Sequence, residues 1–386
     1  MMVKNNQACY VTPAGSRPFS PLRPLGFFVL FALVACQSLP RFTIETLPHY
    51  EALFQPPSGW VGGDGAYSAT LGTDRFLWLF GDTFVGEVQG GRRVNARLVN
   101  NSIGIQTGRE PQTASVAFFY QTLPDGLPAP FMQPEDGLGW IWPFHAVRTP
   151  EGLYLFLVQL ERAGHPPSFD FRLVSNWLAH VSNPDEPPGR WVISQRKFPW
   201  GNEGRHFGSS VLMEGGYCYI YGTLNESVKG LPAKHMILAR APAERIGDFS
   251  AWRFFSNGEW LAEVDRASSV CENVASEFSV SFQSALNRYV LVYSEDGLSP
   301  NILTRLSLTP YGPWSRPTRV YRCPEARRDP RVFCYAAKAH PEISLIAEEL
   351  IITYVTNSLD IELIRSDASL YRPRFLRIRL TGAGKD

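Results

Sequence analysis

Apolar residues along this chain come in short runs set between Gly, Pro, Asp and Asn clusters, and long amphipathic helices are hard to find. The densest such stretch runs from Gly62 to Phe84. It reads as two strands joined by a turn at Gly72–Asp74. Phe76-Leu-Trp-Leu-Phe80 is apolar at every position and predicts a strand buried on both faces. Asp64 enters the first strand and Asp82 leaves the second. One antiparallel reversal between them brings both carboxylates to the same rim.

The same unit recurs. A small or polar entry, a turn and an apolar strand end at Phe80, Phe156, Tyr221, Tyr293 and Tyr354, a period of roughly 70 residues. Third strands are predicted at Ser102–Gln106, Trp177–His180, Met236–Ala239 and Leu303–Ser307. Pro-rich turns ending in Trp191, Trp252 and Trp314 then lead to fourth strands. The fifth unit stops one strand short after Pro373–Leu380, and Arg41–Glu45 can supply the missing outer strand. The pattern predicts an all-β fold, a five-bladed β-propeller over residues 55–380. Residues 37–54 then form a tether with the ring-closing strand, and residues 381–386 a tail.

Composition supports strands and excludes some functions. Aromatic residues make up 13% of the chain, including ten Trp, and net charge is only +1. No electrostatic footprint for nucleic acid follows. No P-loop, dinucleotide fingerprint or protease nucleophile motif is present, and no spacing suggests a structural metal site or a cofactor. Residues 1–24 carry Lys4, Arg17 and Arg23 and no acid, followed by the apolar run Leu25–Ala35. Eleven residues are too few to span a bilayer but suit a signal-peptide core. Leu33-Val-Ala-Cys36 resembles a lipoprotein processing site with Cys36 lipidated. Residues 1–36 are thus read as a lipoprotein signal peptide. The expectation is an exported lipoprotein, at the outer membrane or cell surface, anchored in the membrane by lipid. A plain signal peptide is the alternative. Cys323 and Cys334 are close enough in sequence to be bridged, or they are separate buried thiols.

The repeat also tests the acids. At the position of Asp82 the other units carry Val158, Thr223, Glu295 and Thr356, so the scaffold does not require an acid there. Counting sixteen residues back from each aromatic aligns Asp64 with Trp140, Arg205, Glu277 and Lys338. Inner strands of a propeller begin at a central cavity, so these residues are expected to ring one pocket. Asp64 and Asp82 are candidate catalytic carboxylates, and Glu277 is a third. Trp140, Trp142 and His145 at the second unit's entry suit sugar stacking and hydroxyl recognition, although the tryptophans can equally fill the core. Asn202, Glu203 and His206 enter the third unit, and His340 and Glu342 the fifth.

GGDGAYS at 62–68, LWLFGDTFVG at 77–86, Arg97 with Asn101-Ser102, AKAHPEIS at 337–344 and LIITYVTNS at 350–358 carry a resemblance. They resemble a family of bacterial five-bladed propellers, once called a domain of unknown function, that includes endo-D-arabinanases. That family is similar in architecture to the wider arabinanase and fructosidase propellers. The resemblance implies inverting hydrolysis of furanoside linkages by Asp64 and Asp82, with polysaccharide or oligosaccharide as partner. It leaves open which acid donates the proton. Asn101, Trp140, Trp142, His145, His206, His340 and Glu342 are the expected substrate-binding residues. The reading from another class is a surface lipoprotein that binds glycans without turning them over, and a scaffold in an envelope complex is a weaker third.

Overall fold

The computed structural model describes residues 41–164, 170–200, 204–228 and 231–381. Cys36, Asn202 and Glu203 lie outside the described residues. The chain is all-β with few helices. Among the described residues the α-helices are Pro48–Leu53, Glu325–Arg328 and Ile361–Ser366, none longer than six residues.

Five antiparallel sheets follow one another along the chain. The first contains Tyr67–Gly72, Arg75–Phe80, Ser102–Thr107 and Ser115–Phe119. The second contains Trp140–Thr149, Gly152–Glu161, Arg172–Val181 and Ile193–Lys197. The third runs through Arg205–Glu214, Tyr217–Val228, Leu231–Pro242 and Arg253–Ser256, and adds an edge strand, Glu259–Leu261. The fourth is Phe278–Gln283, Arg288–Ser294, Asn301–Ser307 and Thr318–Arg322. The fifth is Val332–Ala339, Glu349–Ser358 and Pro373–Thr381, with Arg41–Thr46 as its outer strand.

The innermost strands pack beside one another in chain order. The repeating aromatics Phe80, Phe156, Tyr221, Tyr293 and Tyr354 all lie in the second strand of their sheets, at most 2% exposed. Apolar side chains from neighbouring sheets fill the space between them. Leu77 and Leu79 of the first sheet meet Leu155 and Leu157 of the second. Phe54, Trp60, Trp78, Phe80 and Phe375 cluster where the first and fifth sheets meet. Each such side chain contributes about 1.5–3 kcal/mol on burial, so these seams carry much of the stability.

The Gly62–Phe84 stretch serves two sheets. Its centre forms the hairpin Tyr67–Phe80. Its ends belong to a separate three-stranded sheet of Ser58–Gly63, Thr83–Gln89 and Arg92–Val99. Asp64 and Asp82 therefore stand where the chain passes from one sheet to the other. Cys323 and Cys334 are free, buried thiols in hydrogen-bond contact.

Arg41–Thr46 pairs residue for residue with Thr381–Leu376, and Phe42 and Ile44 pack on the core of the fifth sheet. Deleting residues 41–46 should expose the backbone edge of Pro373–Thr381 and lower the midpoint of thermal unfolding by several degrees. An unchanged midpoint would mean that this strand contributes nothing to stability.

Candidate active site

The Asp64–Asp82 crossing is held by backbone bonds. The Asp64 N–H donates to the Asp82 carbonyl at 3.3 Å, and the Gly81 N–H donates to the Asp64 carbonyl at 3.1 Å. A Cβ on Gly81 would stand 2.6 Å from Asp64 Oδ1, so only glycine lets the carboxylate lie there. Ala66, two residues on, has φ 47°, a left-handed conformation that costs an alanine free energy.

The Asp64 carboxylate is contacted from the fifth sheet and the segment leading into its last strand. Tyr335 donates its hydroxyl to Asp64 Oδ2 at 2.6 Å and accepts from Asn357 Nδ2 at 3.2 Å. Tyr371 also hydrogen-bonds Asp64. Ala336 at φ 55° and Tyr371 at φ 58° are left-handed too, so strained backbone gathers around one carboxylate. Asp82 Oδ1 accepts from Trp142 Nε1 at 2.9 Å and from Asn100 Nδ2 at 3.4 Å. Trp142 stacks edge-on against Phe171, with ring centroids 4.9 Å apart.

Glu277 joins this group from the fourth sheet. It is close enough to Asp64 to feel its charge, and Lys234 lies beside it, bonded to Ser276 Oγ. All three carboxyls are half-buried: protein surrounds them, yet each still meets solvent. Burial pushes Asp64 up to about 6, against the pull of the Tyr335 and Tyr371 hydroxyls. Burial and then the Asp64 charge push Asp82 up to about 7. Glu277 also rises to about 7 through burial, with Lys234 opposing. Three acids thus titrate near neutrality in one site, which is what proton transfer at that pH requires.

The other sequence-derived candidates divide. Trp142 is in the site. Trp140 starts the inner strand of the second sheet and packs against the core. His206, 5% exposed, is held neutral by burial, its pKa lowered to about 4. Asn101 is turned into the core. It is 1% exposed, and its amide is used up on Met132 and the Ile141 carbonyl. The neighbouring Asn100 is the one that reaches Asp82.

His340 and Glu342 do not enter the fifth sheet; they leave its inner strand, and Lys338 lies within that strand. The count back from Tyr354 falls short because residues 340–348 replace a two-residue turn like that at 73–74, so it stops inside the inner strand. Ser68 Oγ bonds both His340 Nδ1 and Glu342 Oε1 there, and His145 lines the same space, away from the carboxyls.

Tyr335, Tyr371, Asn100 and Lys234 escaped the sequence reading. For the tyrosines no local pattern exists, because they reach Asp64 across about 270 and 300 residues of chain. Asn100 stands one place before the doublet's chosen member and was within reach.

Arg93 fixes Tyr371 from behind. Buried at 5% exposure, it donates to the carbonyls of Val61, Ile364, Asp367 and Leu370 at 2.8, 2.6, 3.2 and 2.6 Å. Arg93→Met should cost about 3 kcal/mol or more in denaturant unfolding, because it strands buried carbonyls. A loss below about 1 kcal/mol would show that the segment holds itself.

Fold and site together describe an all-β protein, poor in helix, that gathers three half-buried carboxyls from two sheets. The chain belongs to the DUF5005 family, a domain of unknown function, whose model matches residues 48–380. No curated protein matches it. Among solved structures it is similar to a protein of Bacteroides ovatus ATCC 8483 provisionally described as a hydrolase. That likeness has TM-score 0.71 at 20% identity and covers 87% of this chain and 90% of the other. An alpha-L-arabinofuranosidase from Lactobacillus brevis gives TM-score 0.48 at 12% identity, over 87% and 95% of the two chains. A thermostable family-43 glycoside hydrolase gives 0.45 at 14%, over 84% and 91%.

Proposed function

We propose that this protein is a glycoside hydrolase built on a five-bladed β-propeller, acting on furanoside polysaccharide of the arabinan type. The blade reading is supported by five successive antiparallel sheets, each with its inner strand against the next. Ser68 and Asp64 of the first sheet bond His340 and Tyr335 of the fifth. The observation that carries the activity is the meeting of Asp64, Asp82 and Glu277, each with its pKa raised toward neutrality.

Inverting hydrolysis needs one carboxylic acid to protonate the leaving oxygen. It also needs one carboxylate to take a proton from the water attacking the anomeric carbon on the opposite face. Asp64, whose carboxylate is held by the Tyr335 and Tyr371 hydroxyls, is suited to stay ionised and act as base. Glu277, from another sheet and raised mainly by burial, is suited to hold the proton as acid. Asp82, tied by backbone to Asp64, tunes its partner's charge. Trp142 offers an aromatic face beside these groups for a sugar ring.

Incubation with a panel of furanose polymers tests this reading. Release of oligosaccharides with inverted anomeric configuration is expected. Binding of a polymer without any release would instead favour a glycan-binding protein. The reading includes export as a lipoprotein through Cys36. Cys36→Ala should shift the protein from the membrane fraction to the soluble one, and unchanged fractionation would count against acylation.

A further inference from the structure

The stretch leading to Glu277 is bound to the third sheet before it enters the fourth. Met236, in Leu231–Pro242, donates its N–H to the Cys271 carbonyl at 2.7 Å and accepts from the Val270 N–H at 2.8 Å. Two residues back along that strand, the Lys234 carbonyl accepts from the Val274 N–H at 3.0 Å. Asn273, at φ 55°, makes a left-handed bend between these bonds. Cys271, Val274 and Ala275 pack with Tyr221, Met236 and Leu238 of the third sheet.

The last tie is a side chain. Lys234 Nζ donates to Ser276 Oγ, and the residue after Ser276 is Glu277. A hydroxyl carries no charge, so Ser276 orients the ammonium without neutralising it. Titratable groups act on Glu277 from three other parts of the fold: Lys234 from the third sheet, Asp64 from the crossing and Tyr335 from the fifth sheet. Lys234 is the cation among them. His206, beside Lys234 in the third sheet, is held neutral by burial. Burial lowers the Lys234 ammonium from its usual value and the Glu277 charge raises it, while Lys234 in turn lowers Glu277. Each favours the charged form of the other.

We propose that Lys234 is a positioning residue for the acid of the reaction, fixing through Ser276 the stretch that carries Glu277 and stabilising the carboxylate that Glu277 becomes. This rests on the assignment of Glu277 as the acid. As the glycosidic C–O bond breaks, its electron pair goes to the leaving oxygen and the Glu277 proton joins it there. Negative charge then appears on Glu277 in a half-buried site. Burial alone would make Glu277 reluctant to release its proton. An ammonium already held in place offsets that reluctance without reorganising as the charge develops.

Lys234→Met and Lys234→Gln remove the charge, and Lys234→Arg keeps it. On the furanose polymer both neutral variants should lose about ten-fold in kcat at neutral pH. The basic limb of their pH–rate profile should move up by about half a unit or more, because an acid without its cation holds the proton to higher pH. An aryl glycoside, whose leaving group needs no proton, should be cleaved at nearly the parental rate. Lys234→Arg should keep the limb where the parent has it. Equal losses on polymer and aryl glycoside with an unmoved limb would mean that Lys234 only supports the fold, and would overturn the proposal.

A readout without turnover separates this from the hydrolase reading. The Glu277 carboxyl can be titrated by NMR of isotope-labelled glutamate, its signal assigned by its loss in Glu277→Gln. It should titrate at higher pH in the neutral Lys234 variants than in the parent, and an unchanged titration overturns the proposal. Should neither neutral variant fold, Ser276→Ala decides: it releases the ammonium and should raise the Glu277 titration, and no change overturns the proposal equally. A parent that cleaves no polymer would sink the hydrolase reading, whereas the titration reports the Lys234–Glu277 coupling by itself.

Discussion

Asp64→Asn and Glu277→Gln should each lower turnover of the furanose polymer by about a thousand-fold or more, with binding of the polymer retained. General acid or base catalysis supplies roughly 10²–10⁴ in rate, and loss of transition-state charge balance adds to that. The two variants should differ in what rescues them. A substrate with a good leaving group needs no proton, so an aryl glycoside should restore much of the rate to Glu277→Gln. Asp64→Asn should instead respond to an added small nucleophile such as azide, which attacks without a base. Asp82→Asn should shift the acid limb of the pH–rate profile as well as lower the rate, because the Asp82 and Asp64 charges act on one another. Exchange of the two rescue patterns would reverse the assigned roles. Full activity in all three variants would sink the mechanism. Folding is monitored alongside, since each carboxyl is half-buried and a neutral amide fits its space.

The second large effect is on stability, with a sign opposite to that of ordinary paired carboxylates. Asp64, Asp82 and Glu277 rise from ordinary values of 3.8, 3.8 and 4.5 to about 6, 7 and 7 in the folded state. Between about pH 4 and 7 the folded protein therefore holds protons that the unfolded chain has released. Where the folded state binds more protons, unfolding free energy falls as pH rises. The site's penalty is absent below pH 4, grows through that window and is complete above pH 7. Each pKa unit is about 1.4 kcal/mol, and solvent contact of these half-buried groups reduces what is realised. Asp82→Asn should thus be more stable than the parent at pH 8 by about 2 kcal/mol, a rise on the order of 4 °C in the unfolding midpoint. At pH 4.5 the two proteins should unfold together. A variant less stable than the parent at pH 8 would mean that Asp82 is stabilised, not strained, by its surroundings. Asp248 and Asp329 have lowered pKa values from arginine and local hydrogen bonds, so they act only at the acid end.

A site that lowers stability at working pH is consistent with selection for chemistry over packing. The left-handed Ala66, Ala336 and Tyr371 point the same way, since strain persists only where the surroundings hold it. Arg93 is one such holder, and its cost-bearing bonds lie within a few residues of Tyr371.

What the sequence by itself determined is the strand content and its repetition. Period-two and all-apolar runs ending in Phe80, Phe156, Tyr221, Tyr293 and Tyr354 specify buried second strands, because strand burial depends on near neighbours in sequence. The proximity of Asp64 and Asp82 was legible for the same reason: one hairpin separates them. Tertiary structure alone decided the rest. Tyr335 and Tyr371 reach Asp64 only because distant sheets meet there, and no local pattern in the sequence marks them. The extra residues at 340–348 moved His340 and Glu342 to the far end of their strand, which counting from Tyr354 could not register. Asn100 and Asn101 make the turn between Arg92–Val99 and Ser102–Thr107, where the backbone direction set by the fold, not the sequence, sends Asn100 to Asp82 and the Asn101 amide to Met132 and Ile141 in the core.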